Sequence, residues 1–269
     1  MSQTVLVIVA HPDDEVFGMG GTMARLFDDG HAVTVVCATR GEVGEISDPA
    51  LATPETLGEV REQELRNAMH ELGVDDVRFL DYRDSGMAGT PENDDTRAFI
   101  QAEPMEVAMD LTAIMQEVNP DVIITWDQSG GYGHPDHIRV HETVTDAFGS
   151  YEMRSGRTVR LYYTALPVGL FEEMAAELRE QGIEIFDDDE SRESMGRLPR
   201  PSVTTVFDVS DYVEQKRRAM AQHRSQMPAD SPFDKVSEEL RQRFFGKEYF
   251  HRAVPEWHEG EPEEHSILG

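Results

Sequence analysis

The sequence is short of cysteine, of lysine and of long apolar runs, and each shortage excludes something. Its 269 residues hold one cysteine, Cys37, so no intrachain disulfide can form, and any metal must be held by histidine and carboxylate. Cys37 lies inside the strand-like run AVTVVCAT, where a buried thiol is expected. Lysine occurs only as Lys216, Lys235 and Lys247, so arginine supplies nearly all the positive charge. No apolar run approaches the roughly 20 residues of a membrane span. The opening MSQTVLVIVA has no basic residue before its apolar stretch and no small-residue cleavage site after it. A soluble cytoplasmic protein with no membrane insertion is the expectation.

What is abundant is acid. Against 24 Lys and Arg stand 53 Asp and Glu, for a formal net charge of −29. A disordered acidic tail would concentrate that charge, whereas a folded surface adapted to high salt would spread it, with the self-repulsion screened. The acids run along the whole chain, which favours a salt-requiring, halophilic protein from an organism with a salty cytoplasm. Such a surface repels phosphate backbones, so a nucleic-acid partner is not expected.

Strand-like runs recur at Val5 to Ala10, Ala32 to Ala38, Val77 to Leu80, Val122 to Trp126, Leu161 to Ala165 and Val203 to Val209. Helix-like segments lie between them: GTMARLFDDG and REQELRNAMHELG end on glycine, and PMEVAMDLTAIMQEVNP is bounded by prolines. Strand and helix in alternation predict an α/β, Rossmann-like, mostly parallel sheet flanked by helices, with right-handed crossovers. The length suits one domain spanning 1–269. Within it we expect an α/β core over about 1–165, a helical C-terminal elaboration over about 166–255 and a mobile tail over 256–269. The polar stretch FDDDESRESMGRLPRPS is expected to be a mobile excursion.

In such sheets ligands bind beyond the carboxyl ends of the strands, and both charged clusters fall there. His11, Asp13, Asp14 and Glu15 follow the first strand, and WDQSGGYGHPDH begins at the end of the fourth. His11 and Asp14 are three apart, as are His134 and His137, and three side chains from the two turns can face one point. Two imidazoles and a carboxylate suit zinc or another divalent transition metal, with a coordination position left open for water. Water activated by such an ion needs a base beside it, and Asp13 is placed to be one. The plainer readings are a pair of surface histidines and a helix N-terminus decorated with acids.

The motifs AHPDDEVFGMGGTMARL and GYGHPDH, with TRGEVGEI, RDSGMAGT and HRSQM, resemble the PIG-L/LmbE family of zinc-dependent deacetylases, which act on N-acetylglucosamine-containing small molecules. The match touches most of the chain from Val5 to about Met227, and looks most like the branch holding the mycothiol-pathway deacetylase and the mycothiol-conjugate amidase. The resemblance implies zinc on His11, Asp14 and His137, with iron(II) or cobalt able to use the same donors, and Asp13 as general base. It implies that His134 acts as electrostatic stabiliser or acid, that Tyr132 reaches the oxyanion, and that Asp136 orients and charges His134. It also implies substrate contacts by Glu45, Arg61 and Asp84, although Arg61 and Asp84 suit a surface ion pair equally well.

The implied reaction is hydrolysis of the N-acetyl group of an N-acetylglucosaminyl conjugate, with a small amino-sugar substrate as partner. The alternatives are an amidase that cleaves a larger acyl group and a sugar or nucleotide binding module carrying a structural metal. Nothing in the sequence fixes an oligomeric state. The remaining features get plainer assignments. The GMGG glycines at Gly18 to Gly21 serve close helix packing. His31, His70, His223, His251, His258 and His265 lie at the surface or behind the site, and His141 packs its helix. RRAMAQHRSQ either completes the pocket or is a salt-bridged helix.

Overall fold

The computed structural model describes residues 2–165, 167–183, 198–227 and 235–269. Strand β1 (Thr4–Val9) is built from β-branched and aliphatic residues and is buried along both faces, as a strand inside a covered parallel sheet must be. Its alternation serves two cores. Val5, Val7 and Val9 join one apolar cluster, and Leu6, Ile8 and Ala10 join the cluster on the opposite face. Each such side chain contributes about 1.5–3 kcal/mol on burial, so β1 is pinned from above and below.

Helix α1 (Asp14–Asp28) leads to β2 (Ala32–Thr39), α2 (Leu57–Glu71) and β3 (Asp76–Tyr82). After α3 (Pro104–Val118) come β4 (Val122–Thr125), the four-residue turn α4 (Gly130–Gly133) and the long α5 (Pro135–Ser155). Then follow β5 (Arg160–Thr164), α6 (Val168–Glu180), β6 (Thr205–Asp208), α7 (Val213–Met220), α8 (Glu238–Phe245) and β7 (Lys247–Val254). Among the described residues they form a seven-stranded sheet in the order β3-β2-β1-β4-β5-β7-β6. The first five strands are parallel, and β7 is antiparallel to both β5 and β6. Chain order reverses between β1 and β4, and a crevice opens at such a point. The loops bearing His11 and His134 leave these two strands.

The expected alternation is observed, and each strand read from the sequence is present within one or two residues of its expected ends. Two features differ. The C-terminal part is not only helical, because β7 inserts between β5 and β6. This strand escapes a periodicity reading because one of its inward positions is the charged Glu248, buried against Lys216 Nζ at 2.6 Å. The tail is not frayed. Ile267 is fully buried, Glu264 bridges to Thr205, and the Glu264 carboxylate takes hydrogen bonds from the Tyr162 hydroxyl and Arg252. The expected excursion lies outside the described residues up to position 197. The GMGG glycines do serve close packing: a Cβ on Gly21 would stand 2.6 Å from Val209 Cγ2.

Candidate metal centre

The AHPDDE turn stacks its functional groups within one chain reversal. β1 ends, Pro12 disfavours helical backbone at the preceding His11, and α1 begins at Asp14. Between them Asp13 adopts φ 111°, a conformation that costs a residue bearing a Cβ of order 1–3 kcal/mol and gathers at functional sites. One oxygen of Asp14, Oδ2, accepts the Ala10 and His11 amides at 3.1 and 2.8 Å. The other stands 3.2 Å from His137 Nε2.

His137 comes from the first turn of α5 and is aimed by its surroundings. Its Nδ1 meets the Gly130 carbonyl at 3.1 Å, which fixes the proton there and leaves Nε2 as a lone-pair donor. Trp126 stacks on its ring at 4.3 Å. Gly130, at φ 61°, leaves room for this ring, since a Cβ there would come within 2.7 Å of His137 Cβ.

His11 completes the set. Its Nδ1 is 3.1 Å from His137 Nε2 and 3.7 Å from Asp14 Oδ2. Ligand arms of about 2.1 Å in a tetrahedral zinc site give edges of about 3.4 Å; the His11 to His137 and His137 to Asp14 Oδ1 separations of 3.1 and 3.2 Å are near that edge, while His11 meets the other Asp14 oxygen, Oδ2, at 3.7 Å. Two imidazoles and a carboxylate are also the right donor chemistry, and the residues fit. His134 lies beside them, in a group with His11 and His137 whose donor atoms fall within 4.8 Å of one another.

The electrostatics favour a cation. The far nitrogen of His11 faces Asp136 Oδ2 at 3.1 Å and Asp84 Oδ1 at 3.5 Å. Burial alone would lower the His11 pKa, but Asp84, Asp136 and Asp14 outweigh it and raise it well above the usual value. Burial likewise works against the ionised Asp14, yet His137 and His11 hold its pKa well below the carboxylate range. Asp13 differs. Desolvation outweighs the attraction of Arg61 and pushes its pKa up to about 6, close to where a general base works best.

His134 caps α5, its Nδ1 accepting the Asp136 amide at 3.1 Å. Burial and the neighbouring His11 and His137 lower its pKa to about 4, so it is a neutral imidazole with its proton on Nε2, and the charged-acid role fits it less well than the stabiliser role. Tyr132 packs edge-on against His137, with ring centroids 5.0 Å apart. Burial and the carboxylates of Asp14 and Asp13 raise its pKa, keeping the phenol a proton donor.

Two sequence readings need correction. The Asp136 carboxylate does not orient His134: it bonds His11 Nε2 and accepts the Ser85 amide at 2.9 Å, because the first turn of α5 carries its side chain under the His11 ring. Arg61 and Asp84 are not a surface ion pair. Both are buried. Arg61 donates to the Pro12 and Gly41 carbonyls at 2.6 and 2.9 Å and to Asp13 Oδ2 at 3.2 Å, while Asp84 accepts the Gly86 and Val43 amides and faces His11. Of the two positions open to His223, it takes the one behind the site, fully buried and 2.7 Å from Glu15 Oε1. Glu45 is exposed in the loop after β2, and the Gln226 amide donates to its carbonyl at 2.9 Å. His141 supports the strand end, its Nδ1 meeting the Trp126 carbonyl at 3.0 Å.

The position between β1 and β4 and the donor set together make a candidate metal site of a hydrolase on an α/β sheet, and the comparisons agree on the enzyme class. The model of the PIG-L family, GlcNAc-PI de-N-acetylase, matches residues 6–148, and the chain belongs to this family. It is 38% identical over 268 residues, covering 93% of this chain and 83% of the relative, to a 1D-myo-inositol 2-acetamido-2-deoxy-alpha-D-glucopyranoside deacetylase of Catenulispora acidiphila. It is 43% identical over 241 residues to a deacetylase of the same description from Actinosynnema mirum, covering 83% of this chain and 80% of that one. Among solved structures it resembles N,N'-diacetylchitobiose deacetylase from Pyrococcus horikoshii, at TM-score 0.61 and 26% identity over 93% of this chain and 84% of that one.

Proposed function

We propose that this protein is a zinc-dependent N-deacetylase that hydrolyses the acetamide of an N-acetylglucosaminyl small-molecule conjugate, releasing acetate and the free amine. The observation that carries the reading is the packing of His11 Nδ1 against His137 Nε2 at 3.1 Å, with one oxygen of the Asp14 carboxylate 3.2 Å from His137 and the other 3.7 Å from His11. The relatives named as deacetylases of a glucosaminyl inositol support the substrate class. Zinc, when bound to His11, Asp14 and His137, supplies Lewis acidity to the acetyl carbonyl and acidifies water.

The chain's own groups do the rest. Asp13 takes the proton of the attacking water, since its pKa of about 6 leaves it mostly ionised at neutral pH. The Tyr132 hydroxyl and the Nε2 proton of His134 donate to the oxygen on which negative charge develops. Protonated Asp13 then returns its proton to the leaving nitrogen, so water is divided between acetate and amine. Asp136 and Asp84 hold and charge His11. In this reading Glu45, exposed in the loop after β2, meets substrate hydroxyls. The reading includes a cytoplasmic, salt-adapted protein, supported by the absence, among the described residues, of any helix long and apolar enough to cross a membrane and by the charge of −29.

The test is acetate release from a panel of N-acetylglucosaminides, the inositol glycoside included, at molar salt, with metal-stripped and zinc-restored enzyme side by side. Zinc-dependent release is expected. Zinc-loaded enzyme that releases no acetate from any member would contradict the deacetylase reading.

A further inference from the structure

Asp13 is gripped from two directions. Arg61 takes its carboxylate and the preceding carbonyl. On the other side its amide donates to Glu15 Oε2 at 2.9 Å, and Glu15 Oε1 meets His223 Nε2 at 2.7 Å, with both side chains fully buried. His223 stands 208 residues further along the chain, in the turn after α7, and that turn is stitched to the site loops. Ser225 donates its amide and hydroxyl to Glu64 on α2. The Ser47 amide donates to the Ser225 carbonyl, and Gln226 donates to the Glu45 carbonyl. The HRSQM stretch thus spans α1, α2 and the loop after β2 without reaching the metal ligands through any of these bonds.

We propose that Glu15 and His223 are a positioning pair: the imidazole fixes the Glu15 carboxylate, which holds the Asp13 amide and so keeps Asp13 in the left-handed conformation that aims its carboxylate. The C-terminal part of the chain then sets the rate of proton transfer without contacting substrate. The alternative is a buried ion pair that serves stability alone. The proposal rests on Asp13 being the proton acceptor. Geometry is what the pair controls, and a misplacement of about 1 Å costs roughly a hundredfold in rate.

The experiment is a double-mutant cycle on full-length, zinc-loaded enzyme, reading kcat, KM, bound zinc and melting temperature. Glu15→Leu is expected to lower kcat about 10- to 100-fold, with KM within about twofold and zinc retained. Glu15→Gln, which keeps an oxygen for the Asp13 amide, should recover most of that loss. In an Asp13→Asn background, Glu15→Leu should cost less than about a further twofold. Should Glu15→Leu fail to fold, His223→Leu goes through the same cycle with the same expectation. An equal loss in both backgrounds, or a loss of kcat that tracks zinc, would overturn the proposal. An Asp13→Asn enzyme with wild-type turnover would overturn the base assignment itself, a result distinguishable from an inactive Asp13→Asn enzyme whose cycle shows no coupling.

Discussion

Two sets of buried carboxylates, Glu248 on β7 and the cluster around His11, are treated differently. Glu248 on β7 is compensated on every side: Lys216 Nζ lies 2.6 Å from one oxygen, and the Gly21 and Thr22 amides donate to the two oxygens at 2.9 and 2.7 Å. At the ends of β1 and β4, Asp14, Asp84 and Asp136 converge on a single imidazole, His11, and Asp136 Oδ1 is buried without a hydrogen bond. Among the described residues, the permanent positive charge paired to these turns is Arg61, which is engaged with Asp13. A buried charge with its counter-charge in place is a structural joint. A group of carboxylates under-compensated in this way, with imidazole nitrogens aimed among them, is a place for a metal ion.

That contrast can be broken from either side. The largest effect is expected at the under-compensated cluster, where His11→Ala or Asp14→Ala should abolish zinc binding and acetate release together, as read by metal analysis and turnover. Lys216→Met should act oppositely. It strands Glu248 and should cost about 3–5 kcal/mol of stability in denaturant unfolding, while the folded fraction keeps its kcat. Asp136→Asn sharpens the comparison, because it weakens the hold on His11 without removing a donor; zinc affinity should fall about 10- to 100-fold, measured by competition with a chelator. The smallest effect per residue is spread over the surface. Melting temperature should climb from low to molar salt as screening relieves the self-repulsion of 53 acids against 24 bases, and a flat profile would remove the salt-adapted reading.

The same contrast explains what could be read in advance. His11, Asp13 and Asp14 are legible because strand and helix meet at Pro12, and local sequence dictates local structure there. His137 is legible by its spacing from His134 and its position after a strand. The partners of these residues are not, because they depend on strand order: only the adjacency of β1 and β4 carries Asp136 beneath His11, and only the docking of the turn after α7 brings His223 to Glu15. β7 is hidden for a related reason, since Glu248 reads as a solvent position until Lys216 is seen opposite it. The tail reads as polar and frayed, yet Glu264 and Ile267 tie it to the sheet.

Titration of zinc into metal-stripped protein by calorimetry, for wild type and Asp14→Ala in parallel, tests the central claim most directly. The account predicts one tight site in the wild type, restored activity in proportion to its filling, and no site in the variant. An equally tight site in Asp14→Ala, or activity indifferent to filling, would contradict it.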